Sequence, residues 1–410
     1  MSRPPDKPRR NPQRPPRRKP LDPARQAAFD VLRAVRERDA YPNLLRLGTY
    51  QLLRTRVDAH AAVSTTVEQA GIEFDSARAG FVNGVLRKIS TRDEQSWLDE
   101  LAPAKSVDPI GNAAFVHAHP RWIAQSFVDA LGGAAGELGA ALAADDARPQ
   151  VHLAARPGVL AAEELAAAVE GSVGRYSPYA VYLPAGDPAQ VAAVRDGQAL
   201  VQDEGSQLVA RALTLAPIAD DGGRWLDLCA GPGGKTALLA ALAAESGARV
   251  TAVEPADHRA DLVVENTRGL PVDVLRVDGR SSGLDPGFDR VLVDAPCTGL
   301  GALRRRPDAR WRRQSSDVPP LTKLQRELLA AAIALTRPGG VILYATCSPH
   351  LAETVGVVGD ALRRHPVSAL DTRPLFEPVG ELGDGPYVQL WPHRHGTDAM
   401  FAAALVKSEG

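Results

Sequence analysis

From residue 222 onward, the sequence predicts an α/β fold in which a mostly parallel sheet carries helices on both faces. The main observation is that strand-like and helix-like runs alternate at the spacing of β-α-β units. Strands are predicted at 225–229, 249–253, 273–277, 290–295 and 340–346, and helices at 235–245, 257–268 and 319–336. The apolar segments 386–392 and 399–406 predict a terminal antiparallel pair.

The N-terminal half predicts two smaller domains of different class. Residues 23–38 place apolar side chains at helical spacing, and residues 43–90 contain two or three further helices. Ala-rich helical runs then alternate with short strands at 151–154 and 180–183, which is typical of an α+β unit. The predicted order is a disordered tail over 1–20, an all-α domain over 21–95, a linker over 96–118, an α+β subdomain over 119–205 and the α/β domain over 206–407.

Composition excludes several classes of protein. The chain is 44% hydrophobic and 24% charged, as expected of a globular protein. We find no apolar run near the roughly 18 residues of a membrane span and no secretory h-region, so we expect a cytoplasmic, monomeric protein without a membrane partner. Three cysteines without a CxxC or His pairing predict neither a disulfide scaffold nor a metal site.

The net charge of −1 conceals a basic N-terminus. Residues 1–20 hold six Arg and two Lys against Asp6, together with seven Pro. Such a segment cannot bury a core of its own. It is either a solubilising extension or an arm that attracts phosphates.

The strongest local signal is the run Asp227-Leu-Cys-Ala-Gly-Pro-Gly-Gly-Lys235-Thr. It leaves a predicted strand, turns through three glycines and enters an Ala/Leu-rich helix. Glycines let a ligand approach the backbone closely, and the helix N-terminus offers free N–H groups. The run is neither GxGxxG nor a P-loop, because Cys229 stands where the first P-loop glycine is required.

Acidic residues follow the next two predicted strands. Glu254 is placed to accept hydrogen bonds from the two hydroxyl groups of a ribose, and Asp278 could accept one from an adenine amino group. Alone, each acid would more often be a helix cap or a solvated charge, but two strand-end acids after a Gly-rich turn favour binding. The pattern lacks Mg²⁺-binding side chains around the turn, so it favours the adenosine of S-adenosylmethionine over a phosphate nucleotide.

Two cysteines end neighbouring predicted strands, in Asp294-Ala-Pro-Cys297 and Ala345-Thr-Cys347. A free cysteine is usually a small buried hydrophobe, but strand ends beside the presumed cofactor turn favour a pocket. A thiolate that adds to C6 of cytosine activates C5 for methylation, provided that N3 is protonated or strongly hydrogen-bonded. Asp294 is a candidate for that contact, and either cysteine could attack.

The strings DLCAGPGGKT, VLVDAPCTG and LYATCSPHLAE resemble motifs I, IV and VI of the NOL1/NOP2/Sun family of RNA cytosine-5 methyltransferases. Within the family, the chain is similar to the bacterial Fmu/Sun type, which acts on small-subunit ribosomal RNA. The supporting stretches VQDEGSQ (201–207) and LRRRPDARW (303–311) occur in the same order. The resemblance covers roughly 119–407 and implies a Rossmann-like class I methyltransferase domain with a seven-stranded sheet.

The resemblance also implies roles for individual residues. Cys347 would be the nucleophile and Cys297 would assist product release, whereas DNA cytosine-5 methyltransferases attack with the cysteine of a Pro-Cys motif. Asp294 would contact the base and Lys235 would line the same pocket. The implied cofactor contacts are Cys229, Ala230, Gly231, Pro232, Gly233, Gly234, Lys235, Glu254, Arg259, Asp278 and Asp294.

The N-terminal third resembles a NusB-like RNA-binding domain, but Asn43-Leu44-Leu45 joins segments that the family separates by about two helices. We predict that a basic cluster after motif IV contacts RNA, and the alternative is a solvated charged loop. Its members are Arg304, Arg305, Arg306, Arg310, Arg312 and Arg313. Two other functions stay open: the same chemistry on transfer RNA or 23S ribosomal RNA, and a non-catalytic RNA-binding factor.

Overall fold

A computed structural model describes residues 40–409, with side chains from residue 42 onward. The predicted tail (1–20) and the first predicted helix (23–38) lie outside the described residues. The described chain forms two compact units that divide between Ala102 and Pro103.

The first unit is all-α, as predicted. Its helices are α1 (Ala40–Arg54), α2 (Ala59–Glu73), α3 (Ser76–Ile89) and α4 (Glu94–Leu101). Asp58 and Asp75 cap α2 and α3 because their carboxylates accept hydrogen bonds from free backbone N–H groups of the first turn. Leu44, Val82 and Leu86 are fully buried in the small core that these helices share.

The stretch 96–118, predicted to be a linker, is largely helical. It contains most of α4 and all of α5 (Pro109–Val116). Asp93 and Asp108 cap these helices by accepting from Ser96 N at 2.8 Å and Gly111 N at 2.9 Å. The helices are only eight residues long, so their periodicity is too short to distinguish them from a polar connection.

Residues 121–146 are long and apolar enough to cross a membrane by length and composition, contrary to the prediction that no apolar run approaches a membrane span. They form two helices, α6 (Arg121–Leu131) and α7 (Leu138–Asp146), separated by a tight turn. Each helix is much shorter than the roughly 20 residues of a span. Phe127 and Leu142 are fully buried with Leu300 and Trp391, so core packing accounts for the apolar composition.

The second unit contains a small antiparallel sheet in the order β2-β3-β1-β4. Its strands are β1 (Val151–Ala155), β2 (Ser172–Val173), β3 (Ala180–Leu183) and β4 (Ala199–Val201). Helix α8 (Ala162–Ala168) packs Leu165 against Leu153 and Val181 of this sheet. The predicted α+β composition is confirmed. Helix α9 (Ala192–Arg195) is a single turn before β4.

The main sheet has the strand order β10-β12-β9-β8-β5-β6-β7. Its strands are β5 (Arg224–Asp227), β6 (Arg249–Val253), β7 (Val272–Leu275), β8 (Phe288–Asp294), β9 (Thr336–Thr346), β10 (Val367–Leu370) and β12 (Phe401–Lys407). Strands β5 to β9 are parallel, and β12 is antiparallel to both of its neighbours. The predicted seven-stranded Rossmann-like sheet is therefore confirmed, and a two-residue strand β11 (Val388–Gln389) pairs with β12 beside it.

Six helices accompany the main sheet and its loops. They are α10 (Glu204–Leu215), α11 (Gly234–Ser246), α12 (Asp257–Asn266), α13 (Ala309–Arg312), α14 (Val318–Leu335) and α15 (Val355–Arg364), and a further single turn is α16 (Pro392–His395). Buried apolar residues form separate cores on the two faces of the sheet, around Leu239 on one face and Leu329 on the other. Strand order reverses between β5 and β8, so the carboxyl ends of these strands border a crevice where ligands bind in such folds.

Candidate active site

The turn after β5 is built around the buried carboxylate of Asp227. Its oxygens accept from Thr236 Oγ1 at 2.7 Å and from Cys229 N at 3.3 Å. Burial raises the pKa of Asp227 to about 6, although the hydrogen bond from Thr236 opposes the shift. Gly233 has φ +107°, and a Cβ there would lie 2.9 Å from Val263 Cα. Glycine is therefore required where the turn enters α11.

Glu254 ends β6 and faces this turn. The residue is 3% exposed, and its carboxylate accepts from Ala256 N at 2.9 Å and pairs with Arg259 Nε at 3.5 Å. Arg259 also donates to the carbonyl oxygen of Gly231. A Cβ on Gly231 would lie 2.2 Å from Glu254 Oε2, so the glycine leaves space in front of the carboxylate. The structure thus brings together three predicted cofactor residues, Gly231, Glu254 and Arg259.

Asp278 lies three residues beyond β7, and its carboxylate is engaged by Arg280. Arg280 Nη2 donates to it at 2.6 Å, and this hydrogen bond lowers the pKa of Asp278. A Cβ on Gly279 would lie 2.9 Å from the Leu228 carbonyl oxygen, so this segment passes close to the end of β5. The adenine contact of Asp278 stays a prediction, because Arg280 would have to share the carboxylate.

The two motif cysteines lie side by side. Strands β8 and β9 are paired with Asp294 opposite Ala345, which places both following loops at one edge of the sheet. Cys297 Sγ and Cys347 Sγ are 3.4 Å apart, and both residues are half-buried. Neighbouring strand ends therefore deliver two sulfur atoms to one place, as predicted.

The surroundings make the two thiols unequal. The hydrogen bond with Cys297 lowers the pKa of Cys347 and outweighs burial and the Asp294 carboxylate, which both raise it; the Lys235 cation adds to the lowering. The same hydrogen bond and burial raise the pKa of Cys297 well above the ordinary range. Burial, followed by the charge of Asp227, likewise raises the pKa of Cys229. Among the three cysteines, Cys347 is the one whose pKa is lowered.

Lys235 and Asp294 form an ion pair next to the thiols. Lys235 Nζ lies 2.8 Å from Asp294 Oδ2 and 3.2 Å from Ser206 Oγ. Burial alone would lower the pKa of Lys235, but the Asp294 carboxylate outweighs it, so this pKa is raised. Sequence reasoning missed Ser206, although it lies in the VQDEGSQ run that resembled the family.

Arg304 and Arg305, predicted to contact RNA, form ion pairs with carboxylates of the protein itself. Arg304 is buried and donates at 2.8 Å to both Asp203 and Asp398, and Arg305 contacts the same two carboxylates at 2.7 and 3.0 Å. The prediction is wrong for Arg304, because a guanidinium enclosed by two buried carboxylates cannot reach a phosphate. Asp203 belongs to the VQDEGSQ run, so this ion-pair network joins the two supporting stretches.

The other arginines of the basic cluster are either buried or exposed. Arg310 is buried and pairs with Asp146 Oδ1 at 2.6 Å, so it too is structural. Arg306, Arg312 and Arg313 are exposed, and Trp311 between the last two arginines of α13 is 57% exposed. Only this outer part of the cluster can meet a large ligand. Within residues 40–409, no group of three His, Cys, Asp or Glu side chains could hold a metal ion.

The sheet order, the Gly-rich turn and the thiol pair define a Rossmann-like, S-adenosylmethionine-dependent RNA methyltransferase. The family described as 16S rRNA methyltransferase RsmB/F matches residues 212–406. The ribosomal RNA small subunit methyltransferase B of Enterobacter sp. (strain 638) is 33% identical over 89% of this chain and 82% of its own. The chain belongs to the RsmB/F family of ribosomal RNA methyltransferases.

Further comparisons agree with this membership. The NusB family matches residues 39–91, within the all-α unit. A Mycobacterium tuberculosis protein named as a methyltransferase is 71% identical over 94% of this chain and 96% of its own. That alignment runs over 440 positions, more than the 410 residues of this chain, so the relative carries residues that this chain lacks. The crystal structure of PH0851 shares the fold, with a TM-score of 0.73 and 22% identity over 93% of this chain and 87% of that one.

Proposed function

We propose that the enzyme methylates C5 of a cytosine in 16S ribosomal RNA through a covalent bond between Cys347 Sγ and C6 of the base. The observation that carries this proposal is the pair of thiols 3.4 Å apart beside the Lys235–Asp294 ion pair. C5 of cytosine is a weak nucleophile until a thiolate adds at C6, so covalent catalysis explains why a methyltransferase would hold reactive sulfur here.

The attack requires a thiolate and a proton donor toward the base. The lowered pKa of Cys347 favours its thiolate. As Sγ bonds to C6, negative charge moves toward N3 of the cytosine, and N3 must then accept a proton or a strong hydrogen bond. The Lys235 ammonium, held beside Asp294, can supply that strong hydrogen bond, and the Asp294 carboxylate can accept one from the exocyclic amino group of the base.

Release is a separate step from attack. When bound, S-adenosylmethionine supplies an electrophilic methyl group, and the activated C5 takes it. Loss of the C5 proton to a base then re-forms the C5–C6 double bond and breaks the C6–Sγ bond. Cys297, with a raised pKa, is held as a neutral thiol that can donate to the leaving Cys347 thiolate across 3.4 Å.

A trapping experiment tests this chemistry. RNA that contains 5-fluorocytosine should form a stable adduct with the enzyme and cofactor, because fluorine at C5 cannot leave as the proton does. Mass spectrometry of the digested adduct should place the nucleotide on the peptide of Cys347. The absence of any adduct, with cofactor and RNA both bound, would contradict covalent catalysis.

The cofactor is proposed to bind across Cys229–Lys235, with its ribose on Glu254. Replacing Glu254 by Ala should weaken cofactor binding by about 1–3 kcal/mol, the usual cost of losing a charged hydrogen-bond partner. Glu265→Ala is the matched control, because Glu265 is an exposed acid on α12. Isothermal titration calorimetry that finds equal affinity for both variants would contradict the assignment.

The RNA is proposed to be ribosomal because the family and the named relatives act on ribosomal RNA. Such a substrate would place the enzyme in the cytoplasm. Bisulfite mapping of ribosomal RNA from cells with and without the gene should reveal one cytosine in 16S RNA whose methylation is lost. If methylation is lost from a cytosine in 23S or transfer RNA instead, the proposed chemistry stands but the substrate is that RNA.

A further inference from the structure

A buried carboxylate joins the two cysteine loops from behind. Glu353 has no exposed surface, and it accepts from Thr298 N at 2.8 Å, from Ser348 Oγ at 2.7 Å and from Gln325 Nε2 at 3.1 Å. The Thr298 hydroxyl donates to it as well. Because Thr298 follows Cys297 in sequence and Ser348 follows the second cysteine, one carboxylate holds both loops.

Additional hydrogen bonds fasten the same loops to each other. Gly301 N donates to the Cys347 carbonyl oxygen at 2.9 Å, and His350 N donates to Ser348 Oγ at 3.2 Å. The position of Glu353 is itself fixed, because Tyr344 Oη donates to its backbone carbonyl oxygen at 2.7 Å. The separation of the two sulfur atoms is thus set by a rigid, fully buried network.

The charge of Glu353 needs an explanation of its own. Within the part of the chain that the structure describes, no salt bridge to this carboxylate is found, and burying a charge without a counter-ion is costly. A neutral glutamine could satisfy the same hydrogen bonds. Both N–H donors point to Oε1 and both hydroxyls point to Oε2. An amide oxygen could accept from the two N–H groups, and an amide NH2 could donate to the two hydroxyl oxygens, with the direction of those two hydrogen bonds reversed.

The negative charge of Glu353 affects the pKa values of the two thiols differently. The pKa of Cys297 is raised by its hydrogen bond to Cys347 and by burial, and the negative Glu353 adds to this shift. Cys347 is influenced instead by the Lys235 cation and by Asp294. Beside Cys347 the Asp294 anion opposes the Lys235 cation, whereas the Glu353 anion behind Cys297 disfavours ionisation of that thiol. The charge of Glu353 therefore favours a neutral Cys297.

We propose that Glu353 is a positioning residue that makes the thiols unequal: its carboxylate holds the two loops together and keeps Cys297 as the neutral donor to Cys347. This role rests on the proposed function, because only a reaction with separate attack and release needs one thiolate and one thiol. Glu353 acts through Cys297 and would not touch the substrate.

Alkylation by iodoacetamide tests the role without RNA or cofactor. In the full chain near neutral pH, Cys347 should react faster than Cys297, as measured by mass spectrometry of each peptide over time. Glu353→Gln keeps the hydrogen bonds and removes the charge, so the ratio of the two rates should fall on the order of tenfold, as for a one-unit change in relative pKa. An unchanged ratio in the folded variant would overturn the proposal.

Glu204→Gln is the matched control. Glu204 is also fully buried, with two N–H donors on Oε1 and the Tyr182 hydroxyl on Oε2, but it contacts neither cysteine loop. Its substitution should leave the alkylation ratio unchanged. An equal fall in both variants would mean that general loosening, not the charge of Glu353, controls the thiols, and the proposal would fail.

Ser348→Ala separates the loop contact from the charge and serves if Glu353→Gln does not fold. The carboxylate remains, so Cys297 should react as slowly as in the wild type, while Cys347 slows because its loop loses an anchor. A faster Cys297, or an unchanged Cys347, would overturn the proposal. A failed 5-fluorocytosine adduct would refute covalent methylation without altering these alkylation rates, so the two tests fail separately.

Discussion

Two sulfur atoms in one pocket raise the question of which of them attacks. Cys347 has the lowered pKa and Cys297 the raised one, and this difference predicts different effects of removing each. Cys347→Ala should abolish both methylation and adduct formation while cofactor binding persists, because the attacking atom is gone. Calorimetry for the cofactor and denaturing gels for the adduct measure the two properties independently.

Cys297→Ala should still attack and transfer the methyl group, but release should slow, because the leaving thiolate loses its hydrogen-bond donor. A covalent protein–RNA complex should therefore accumulate with ordinary cytosine RNA and survive denaturing electrophoresis. If Cys347→Ala accumulates the complex and Cys297→Ala is inert, the roles are reversed, as in the DNA enzymes.

The raised pKa of Asp227, at the end of β5, predicts that the free energy of unfolding depends on pH. Its pKa is raised from 3.8 to about 6 by burial, so the folded protein binds a proton more tightly than the unfolded chain. The resulting stabilisation is fully present below pH 3.8 and is lost as the pH rises to about 6, by about 3 kcal/mol in total. Urea unfolding from pH 4 to 7 should show this loss in the wild type relative to Asp227→Asn. Parallel curves for the two proteins would contradict the prediction.

At the scale of elements, the segment from Leu303 to α13 has an inner and an outer side. Arg304 turns inward to Asp203 and Asp398, whereas Arg306 and Trp311 face outward. Exposed cations beside an exposed aromatic ring are typical of surfaces that bind single-stranded RNA, where phosphates meet the charges and a base can stack. The two sides should therefore respond differently to substitution.

Arg304→Ala should destabilise the fold by on the order of 3 kcal/mol, because it leaves buried carboxylates short of a partner. Arg306→Ala with Arg312→Ala should leave the unfolding free energy unchanged and weaken RNA binding, with the salt slope reduced by roughly one for each phosphate that the variant no longer binds. Arg249→Ala is the control, since this exposed arginine begins β6 at the opposite edge of the sheet. If Arg249→Ala weakens RNA binding by the same amount, the effect is not specific to Arg306 and Arg312. These arginines would then be part of a solvated charged loop and not of an RNA-binding surface.

At the scale of the whole molecule, the NusB match and the predicted catalytic residues lie in different units. The NusB match covers 39–91 in the first unit, and every predicted catalytic and cofactor residue lies in the second. The first unit keeps a core of its own around Leu44 and Leu86 in spite of its shortened sequence. This separation predicts that the second unit binds the cofactor without help from the first unit.

A chain that begins at Pro103 should therefore bind S-adenosylmethionine with the affinity of the full chain. If the NusB-like unit docks RNA, as the resemblance implies, the affinity of the shortened chain for ribosomal RNA should fall. Calorimetry and filter binding measure the two affinities on the same preparations. Equal RNA affinity for both chains would show that the N-terminal unit does not dock RNA.

The sequence by itself determined the parts of this protein whose signals are local. Alternating strands and helices, the Gly-rich turn and the strand-end residues predicted the sheet, the turn at Cys229–Lys235 and the meeting of Cys297 with Cys347. These inferences hold because parallel strands present their carboxyl ends at one edge, so a position along the chain fixes a position in space.

Only the tertiary structure decided which charges face inward. Arg304 and Asp203 are 101 residues apart in sequence, and no local pattern distinguishes that buried arginine from the exposed Arg306. Ser206 reaches Lys235 across 29 residues, and Glu353 reaches the loop of Cys297 across 55 residues, by similarly long-range packing. A side chain's partners across the core depend on how whole elements pack, so the roles of these residues emerge only when the chain is folded.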